Sequence, residues 1–207
     1  MIEQGEKPHK EAEQIKVLRW RDMLFLRKGT LLRQFIHAVI SIALRLFFRR
    51  IETVNVEKVP KDEPIIFVLN HPNGLVDPAL VFVSLPRRVS FLAKSTLFSI
   101  PIGGAIIRAL EALPVYRRID ADSDMSKNLE TFRNCHELLA QNRCIAIFPE
   151  GISHDDTKLK PIKTGAARIA LGALSVSSEQ LAVSSQETAH RLPLTAHLPL
   201  KIMAVGL

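Results

Sequence analysis

Two polar clusters in this sequence each follow a short apolar run. The first reads Asn70-His71-Pro72-Asn73-Gly74-Leu75-Val76-Asp77-Pro78. Histidine is the side-chain type that exchanges a proton near neutral pH, and His71 is the only one in this cluster. A carboxylate bonded to one ring nitrogen fixes the tautomer and leaves the other nitrogen as a base. Asp77 is near enough to do this if the Pro-Asn-Gly turn folds back. The cluster offers no serine or cysteine nucleophile, so such a dyad would activate a hydroxyl on a substrate. General base catalysis of this kind contributes about 10²–10⁴-fold. The second cluster reads Phe148-Pro149-Glu150-Gly151-Ile152-Ser153-His154. It predicts a rigid exposed turn in which Glu150 binds a substrate hydroxyl and the Gly151 backbone approaches a ligand closely. Between them lies Leu113-Pro114-Val115-Tyr116-Arg117-Arg118, an arginine pair whose guanidinium forks match phosphate oxygens.

Taken singly, each cluster also fits a plain structural role. The His–Asp pair can be a loop hydrogen bond, the Pro-Glu-Gly turn only a turn, and the arginines solvated charges. His154-Asp155-Asp156 suggests a metal only weakly, because neighbouring side chains diverge and no second ligand set follows. Cys135 and Cys144 read as small core residues.

The elements that must position these residues alternate in type. Apolar runs at 64–69, 89–93, 113–116, 144–148 and 201–205 read as strands. Segments 78–85, 101–112, 125–141 and 164–174 read as helices, with Gly103 and Gly104 weakening the start of the second. Asn142 suits a helix C-terminus. The alternation predicts an α/β domain, a mixed, mostly parallel sheet flanked by helices, preceded by an N-terminal amphipathic helical segment. Residues 175–195 are rich in Ser, Gln and Ala and read as a loop. The chain stops directly after the last strand, which leads us to expect a truncated domain.

The composition is 47% hydrophobic with mean hydropathy +0.12, which excludes a disordered chain. No series of uncharged stretches of about 20 residues marks a polytopic membrane protein. The net charge of +7 is local. Residues 14–50 hold Lys16, Arg19, Arg21, Arg27, Lys28, Arg33, Arg45, Arg49 and Arg50 against Asp22 alone, so the remainder is close to neutral. Residues 31–48 place Arg33, Gln34, His37, Ser41 and Arg45 on a narrow stripe. Opposite lies a broad face of Leu31, Leu32, Phe35, Ile36, Val39, Ile42, Ala43, Leu46 and Phe47. This pattern predicts a helix lying in the interface of an anionic membrane, each surface cation adding about 1 kcal/mol. The alternative is an amphipathic helix packed on the protein's own core. Nucleic acid is not the expected partner, because the basic residues are interleaved with aliphatics rather than stacking aromatics. No secretory signal is evident, so the expected location is the cytoplasmic face of a membrane.

Together the three clusters resemble, in order and spacing, the glycerolipid acyltransferase superfamily, which acylates glycerol-3-phosphate and lysophosphatidate. The likeness runs over roughly residues 50–207. It implies that His71 is the general base and Asp77 its orienting partner. Arg117 falls on the family's phosphate-binding arginine, with Lys94 of FLAKSTLF beside it. Glu150 and Gly151 fall on the glycerol-phosphate site, with Ser153 nearby and Asn70 adjoining the base. IMAVGL resembles the start of a motif lining the acyl side, and Lys163-Thr164-Gly165 is also similar to the family. Five residues separate His71 from Asp77 where four are usual, a variant resembling a branch linked to glycerol-3-phosphate or dihydroxyacetone-phosphate acylation. Glu111 stands where the family's second motif often begins with glycine, and Ala204 replaces a frequent proline.

The resemblance implies transfer of a fatty acyl group from acyl-CoA or acyl-carrier protein to a phosphorylated glycerol acceptor. It implies no cofactor, no metal and no acyl-enzyme. Alternatives are a lysophospholipid acyltransferase or transacylase, or a non-catalytic peripheral membrane module. The expected division is a membrane-docking segment at 1–50 and an acyltransferase domain at 51–207.

Overall fold

The structure, a computed structural model, describes residues 15–17, 30–117, 120, 124–154, 158, 160–175 and 199–207. In chain order its elements are β1 (Ile15–Val17), α1 (Leu31–Phe47), β2 (Glu52–Val54), β3 (Ile65–Leu69) and α2 (Val76–Ser84). Then follow β4 (Val89–Lys94), α3 (Pro101–Ala109), β5 (Leu113–Val115), α4 (Asn128–Ala140) and β6 (Cys144–Ile147). Helix α5 (165–175) and β7 (Lys201–Val205) complete it.

Strands β3 to β7 form one five-stranded sheet in the order β5-β4-β6-β3-β7, parallel at every pairing. Strands β1 and β2 pair antiparallel as a separate ribbon, which hydropathy alone did not predict. The apolar run Ile65-Ile66-Phe67 is completely buried because a parallel sheet carries helices on both faces. Side chains still alternate. Ile65, Phe67 and Leu69 join Leu44 of α1 and Val81, Phe82 and Val83 of α2. Ile66 joins Ile145 and Ile147 of β6, Cys135 and Leu139 of α4, and Ile169 and Ala173 of α5. Burial pushes the Cys135 thiol up to about 12, as befits a core residue.

Helix boundaries follow local chemistry. Pro101 opens α3, and Gly104 is required there, since a Cβ would stand 2.3 Å from the Phe98 carbonyl oxygen. The helix ends at Ala109 rather than at 112, because Glu111 adopts φ 59°. Helix α4 is preceded by a 3-10 turn at Met125–Lys127 and stops where Asn142 takes φ 54°. The Ser-rich segment expected to be a loop lies mostly outside the described residues, as do Arg19, Arg21, Arg27 and Lys28.

Helix α1 forms as expected, with the Thr30 hydroxyl accepting from the Arg33 N–H at 3.3 Å. Its orientation is the reverse of the alternative reading, an amphipathic helix packed on the core through its apolar face. The buried residues are Arg33, His37, Ser41 and Leu44, facing inward. Leu31 is 83% exposed, Phe35 67%, Leu46 82% and Phe47 77%. The polar stripe therefore packs on the protein and the apolar face looks out. The reason lies in the neighbouring backbone. Arg33 donates to the Leu110 carbonyl at 2.7 Å and the Val89 carbonyl at 3.1 Å, and its guanidinium lies 5.0 Å from the Phe82 ring centroid. His37 tilts against the same ring at 5.2 Å. Those carbonyls sit where β4 begins and α3 ends, and burial without donors would be costly.

Glu111 gathers this region. Its carboxylate is paired with Arg88 and Arg143, with Arg33 at 4.0 Å. Burial lowers the Arg33 guanidinium to about 10, so it remains charged at neutral pH. Among the described residues no helix is long and apolar enough to cross a membrane.

This geometry inverts the usual mutational response of an amphipathic helix. Arg33→Ala should cost about 2–4 kcal/mol in urea denaturation, because one buried and one part-buried carbonyl lose their donor. Leu31→Ala should change stability by less than about 0.5 kcal/mol. Equal effects would show that the stripe does not anchor the helix.

Candidate active site

The polar clusters meet at the carboxyl edge of the sheet, where open α/β domains place their ligands. His71 follows β3, Phe148 follows β6, Lys94 ends β4 and Arg117 lies just past β5. The Asn73 side chain shapes the first turn. Its Oδ1 accepts from the Leu75 and Val76 N–H groups, each at 3.1 Å, and so covers the entry of α2. The fold-back carries Asp77 to the base: His71 Nδ1 lies 3.0 Å from Asp77 Oδ2. A second bond to the same oxygen, from the Asn73 N–H at 2.6 Å, holds the carboxylate in place. A carboxylate only accepts, so the ring proton resides on Nδ1 and the Nε2 lone pair is left for chemistry. The ring stacks on Phe148, with centroids 4.0 Å apart. The Asp77 side chain is 4% exposed and that of His71 14%, so the base alone of the pair meets solvent.

Glu150 is placed differently from its expected role. Its Oε1 accepts from the His71 N–H at 3.0 Å. Its Oε2 accepts from the Lys160 N–H at 2.9 Å and pairs with the His154 ring. With 1% of its side chain exposed, this carboxylate is turned into the protein rather than toward a substrate hydroxyl. The His154 ring first, then the Lys160 and His71 N–H groups, hold it below the usual carboxylate range. Gly151 takes φ 70°, a left-handed conformation that an L side chain would strain, with the Lys163 side chain beside its Cα.

The cations converge on one acid that the sequence reading did not pick out. Arg117 donates to Asp120 through Nε at 3.0 Å and Nη2 at 2.9 Å, and Lys94 Nζ lies 3.0 Å from the same carboxylate. Arg117 Nη1 also donates to the Gly151 carbonyl at 2.7 Å, so this side chain reaches from β5 to the loop after β6. Two cations on one carboxylate leave a net positive charge beside Gly151. Arg118 lies outside the described residues.

Two asparagines extend strands beyond their ladders. Asn70 accepts from the Leu207 N–H at 2.9 Å and donates to its carbonyl at 3.4 Å, coupling β3 to β7. Asn128 brackets Tyr116 in the same way, at 3.0 and 2.8 Å, and so fixes the residue before Arg117. Ser153 is exposed and faces Gly74, where a Cβ would lie 3.0 Å from its hydroxyl. Asp120 and Asn128 escaped the sequence reading, and His154 entered it only as a weak metal-ligand candidate. For Asp120 and His154 the available signal was a charge partner three or four residues from Arg117 or Glu150.

A parallel α/β sheet with a buried carboxylate behind a half-buried histidine, and cations along the same edge, defines a candidate catalytic site. A family profile described as Acyltransferase matches residues 50–187, and the chain belongs to that family. The chain is 28% identical over 143 residues to a chloroplastic 1-acyl-sn-glycerol-3-phosphate acyltransferase of Brassica napus, covering 67% of this chain and 39% of that one. It is 28% identical over 212 residues to glycerol-3-phosphate O-acyltransferase 1 of Saccharomyces cerevisiae, covering 62% of this chain and 28% of that one. It therefore spans less than half the length of these curated relatives. The solved 1-acyl-sn-glycerophosphate acyltransferase PlsC from Thermotoga maritima matches 73% of this chain and 57% of its own, at 21% identity and TM-score 0.46.

The hydrogen bonds from Arg117 first, then from Lys94, hold Asp120 down at about 2, below its usual 3.8. A depressed carboxylate contributes stability that is present above its unfolded value and lost as pH falls through its folded value. In Asp120→Asn, the fall in Tm between about pH 5 and about pH 2.5 should be smaller than in the wild type. An identical acid slope would remove Asp120 from the acid response.

Proposed function

We propose that this chain is an O-acyltransferase domain, moving a fatty acyl group from a thioester to a hydroxyl of a phosphorylated glycerol at a membrane surface. One observation carries the reading: the 3.0 Å His71–Asp77 contact, with the ring the accessible member of the pair. Family membership and relatives named for glycerol-3-phosphate and 1-acylglycerol-3-phosphate support it.

In this mechanism His71 Nε2 takes the proton of the acceptor hydroxyl. The oxygen attacks the thioester carbonyl carbon, the C–S bond breaks, and the imidazolium returns its proton to the departing thiolate. An ester and a thiol result, with acyl-CoA or acyl-carrier protein as donor. Asp77 holds the tautomer and offsets the charge on the ring. Arg117 and Lys94 face the acceptor's phosphate from beside Asp120, and the glycerol lies along Gly151 and Ser153. Glu150 contributes from behind, through the His71 N–H. Holding both substrates together supplies much of the rate.

Membrane attachment is part of the proposal, and α1 supports it through its outward apolar face rather than its basic stripe. Arg49 and Arg50 are exposed just past this helix and suit an anionic leaflet. Residues 1–50 are the docking segment in this reading, and the face of attachment is cytoplasmic.

Thioester release should be assayed with glycerol-3-phosphate, dihydroxyacetone phosphate and lysophosphatidate in parallel. His71→Ala should lower turnover by about 10²–10⁴-fold with an unchanged circular dichroism spectrum. Near-normal turnover would end the reading of His71 as base. Liposome binding without thioester consumption by the wild type would favour the non-catalytic membrane module.

Replacing Phe35 and Leu46 together by Glu should reduce flotation with anionic liposomes by about tenfold or more, since each buried apolar side chain is worth about 1.5–3 kcal/mol. Undiminished flotation would remove α1 from the membrane contact.

A further inference from the structure

His154 has no part in the acceptor or base roles above, yet it touches the peptide of the base. We propose that His154 is a positioning residue for His71, closing a hydrogen-bonded ring through Glu150 that fixes the main chain of the base. This rests on the reading of His71 as general base.

The ring is continuous. The His71 N–H donates to Glu150 Oε1 at 3.0 Å, Glu150 Oε2 pairs with His154 Nε2, and the His154 N–H donates to the His71 carbonyl at 3.2 Å. The N–H and the carbonyl of His71 are both thereby engaged by the loop after β6. The need for such a clamp follows from the sheet. The β3–β6 ladder pairs Val68 with Ile147 as its last register, so His71 lies beyond the last paired residues. Asp77 and Phe148 restrain the ring of His71, but neither restrains its main chain.

Glu150 cannot serve as this tether alone. Its side chain is 1% exposed, and a buried carboxylate offers about four acceptor sites, so one main-chain donor on each oxygen leaves it under-bonded. Lys160 supplies one main-chain donor at 2.9 Å, and the His154 ring, itself 12% exposed, supplies the side-chain donor. The same pairing is the largest influence holding Glu150 in its charged form. An Nε2–H donor suffices whether the imidazole is neutral or protonated, so the role is geometric. Glutamine places an amide nitrogen close to where Nε2 stands, whereas alanine removes the donor.

The test compares wild type, His154→Ala and His154→Gln in the thioester-release assay and by ¹⁵N NMR of the His71 imidazole. In His154→Ala, kcat should fall about hundredfold, the scale of a misplacement near 1 Å. KM for donor and acceptor should stay within about twofold, since the residue touches neither substrate. His154→Gln should restore kcat to within a few-fold of wild type. The wild type and the Gln variant should show a single Nδ1–H tautomer at His71, and the Ala variant a mixture. Should the Ala variant not fold, His154→Asn, whose amide falls short of Glu150, is read in its place. A loss confined to KM, a Gln variant as poor as Ala, or a His71 tautomer indifferent to all three would overturn the proposal. A wild type inert toward thioesters, with the tautomer still governed by position 154, would instead sink the general-base reading and leave the clamp standing.

Discussion

A parallel sheet ends abruptly at its carboxyl edge: beyond the last ladder pair, the regular backbone bonding between neighbouring strands stops. In this protein the side chain of Glu150 takes over that task. It sits in the turn after β6 and binds the peptide N–H of His71 beyond β3. Burial makes the link firm, because water does not compete for the carboxylate, and also makes it dependent on a full set of donors. His154 and Lys160 complete that set. Asn70 and Asn128 do comparable work at the ends of β3 and β5, each mimicking a main-chain partner. The chemistry of the edge thus depends on side chains that replace missing strand.

The opposite edge is organised around a second carboxylate. Glu111 occupies a left-handed backbone conformation, φ 59°, where glycine would be unstrained. Glycine would relieve that strain but lose the side chain that Arg88 and Arg143 clasp and Arg33 approaches. Those arginines come from the starts of β4 and β6 and from α1, so one residue gathers two strands and the first helix. The arginine cluster gives a physical reason for a charged side chain at this left-handed position.

The sheet was legible in sequence because buried parallel strands are short apolar runs between turns. All five strands and the helices between them were anticipated from such runs. His71 and Asp77 were legible because turn residues between them foretold a fold-back. Other features depend on contacts distant along the chain. Periodicity showed that α1 has two faces, but which face turns inward was decided by the carbonyls of Val89 and Leu110, more than 50 residues away. Glu150 was read as a ligand residue because its carboxylate follows a strand. Its inward direction came from donors at His71, His154 and Lys160. The ribbon of β1 and β2 joins three-residue segments too short to carry a pattern.

The inverted seating of α1 has a geometric consequence. A helix held through an apolar stripe can slip or turn by a fraction of a residue, since dispersion contacts are tolerant of direction. Arg33, aimed at two carbonyls and a ring face, is not. The roll angle of α1 about its own axis is therefore fixed relative to the sheet. Any surface that meets Leu31, Phe35, Leu46 and Phe47 must approach the whole domain from one bearing. In the proposed membrane contact the helix is a keel rather than a tether, setting the attitude of the domain.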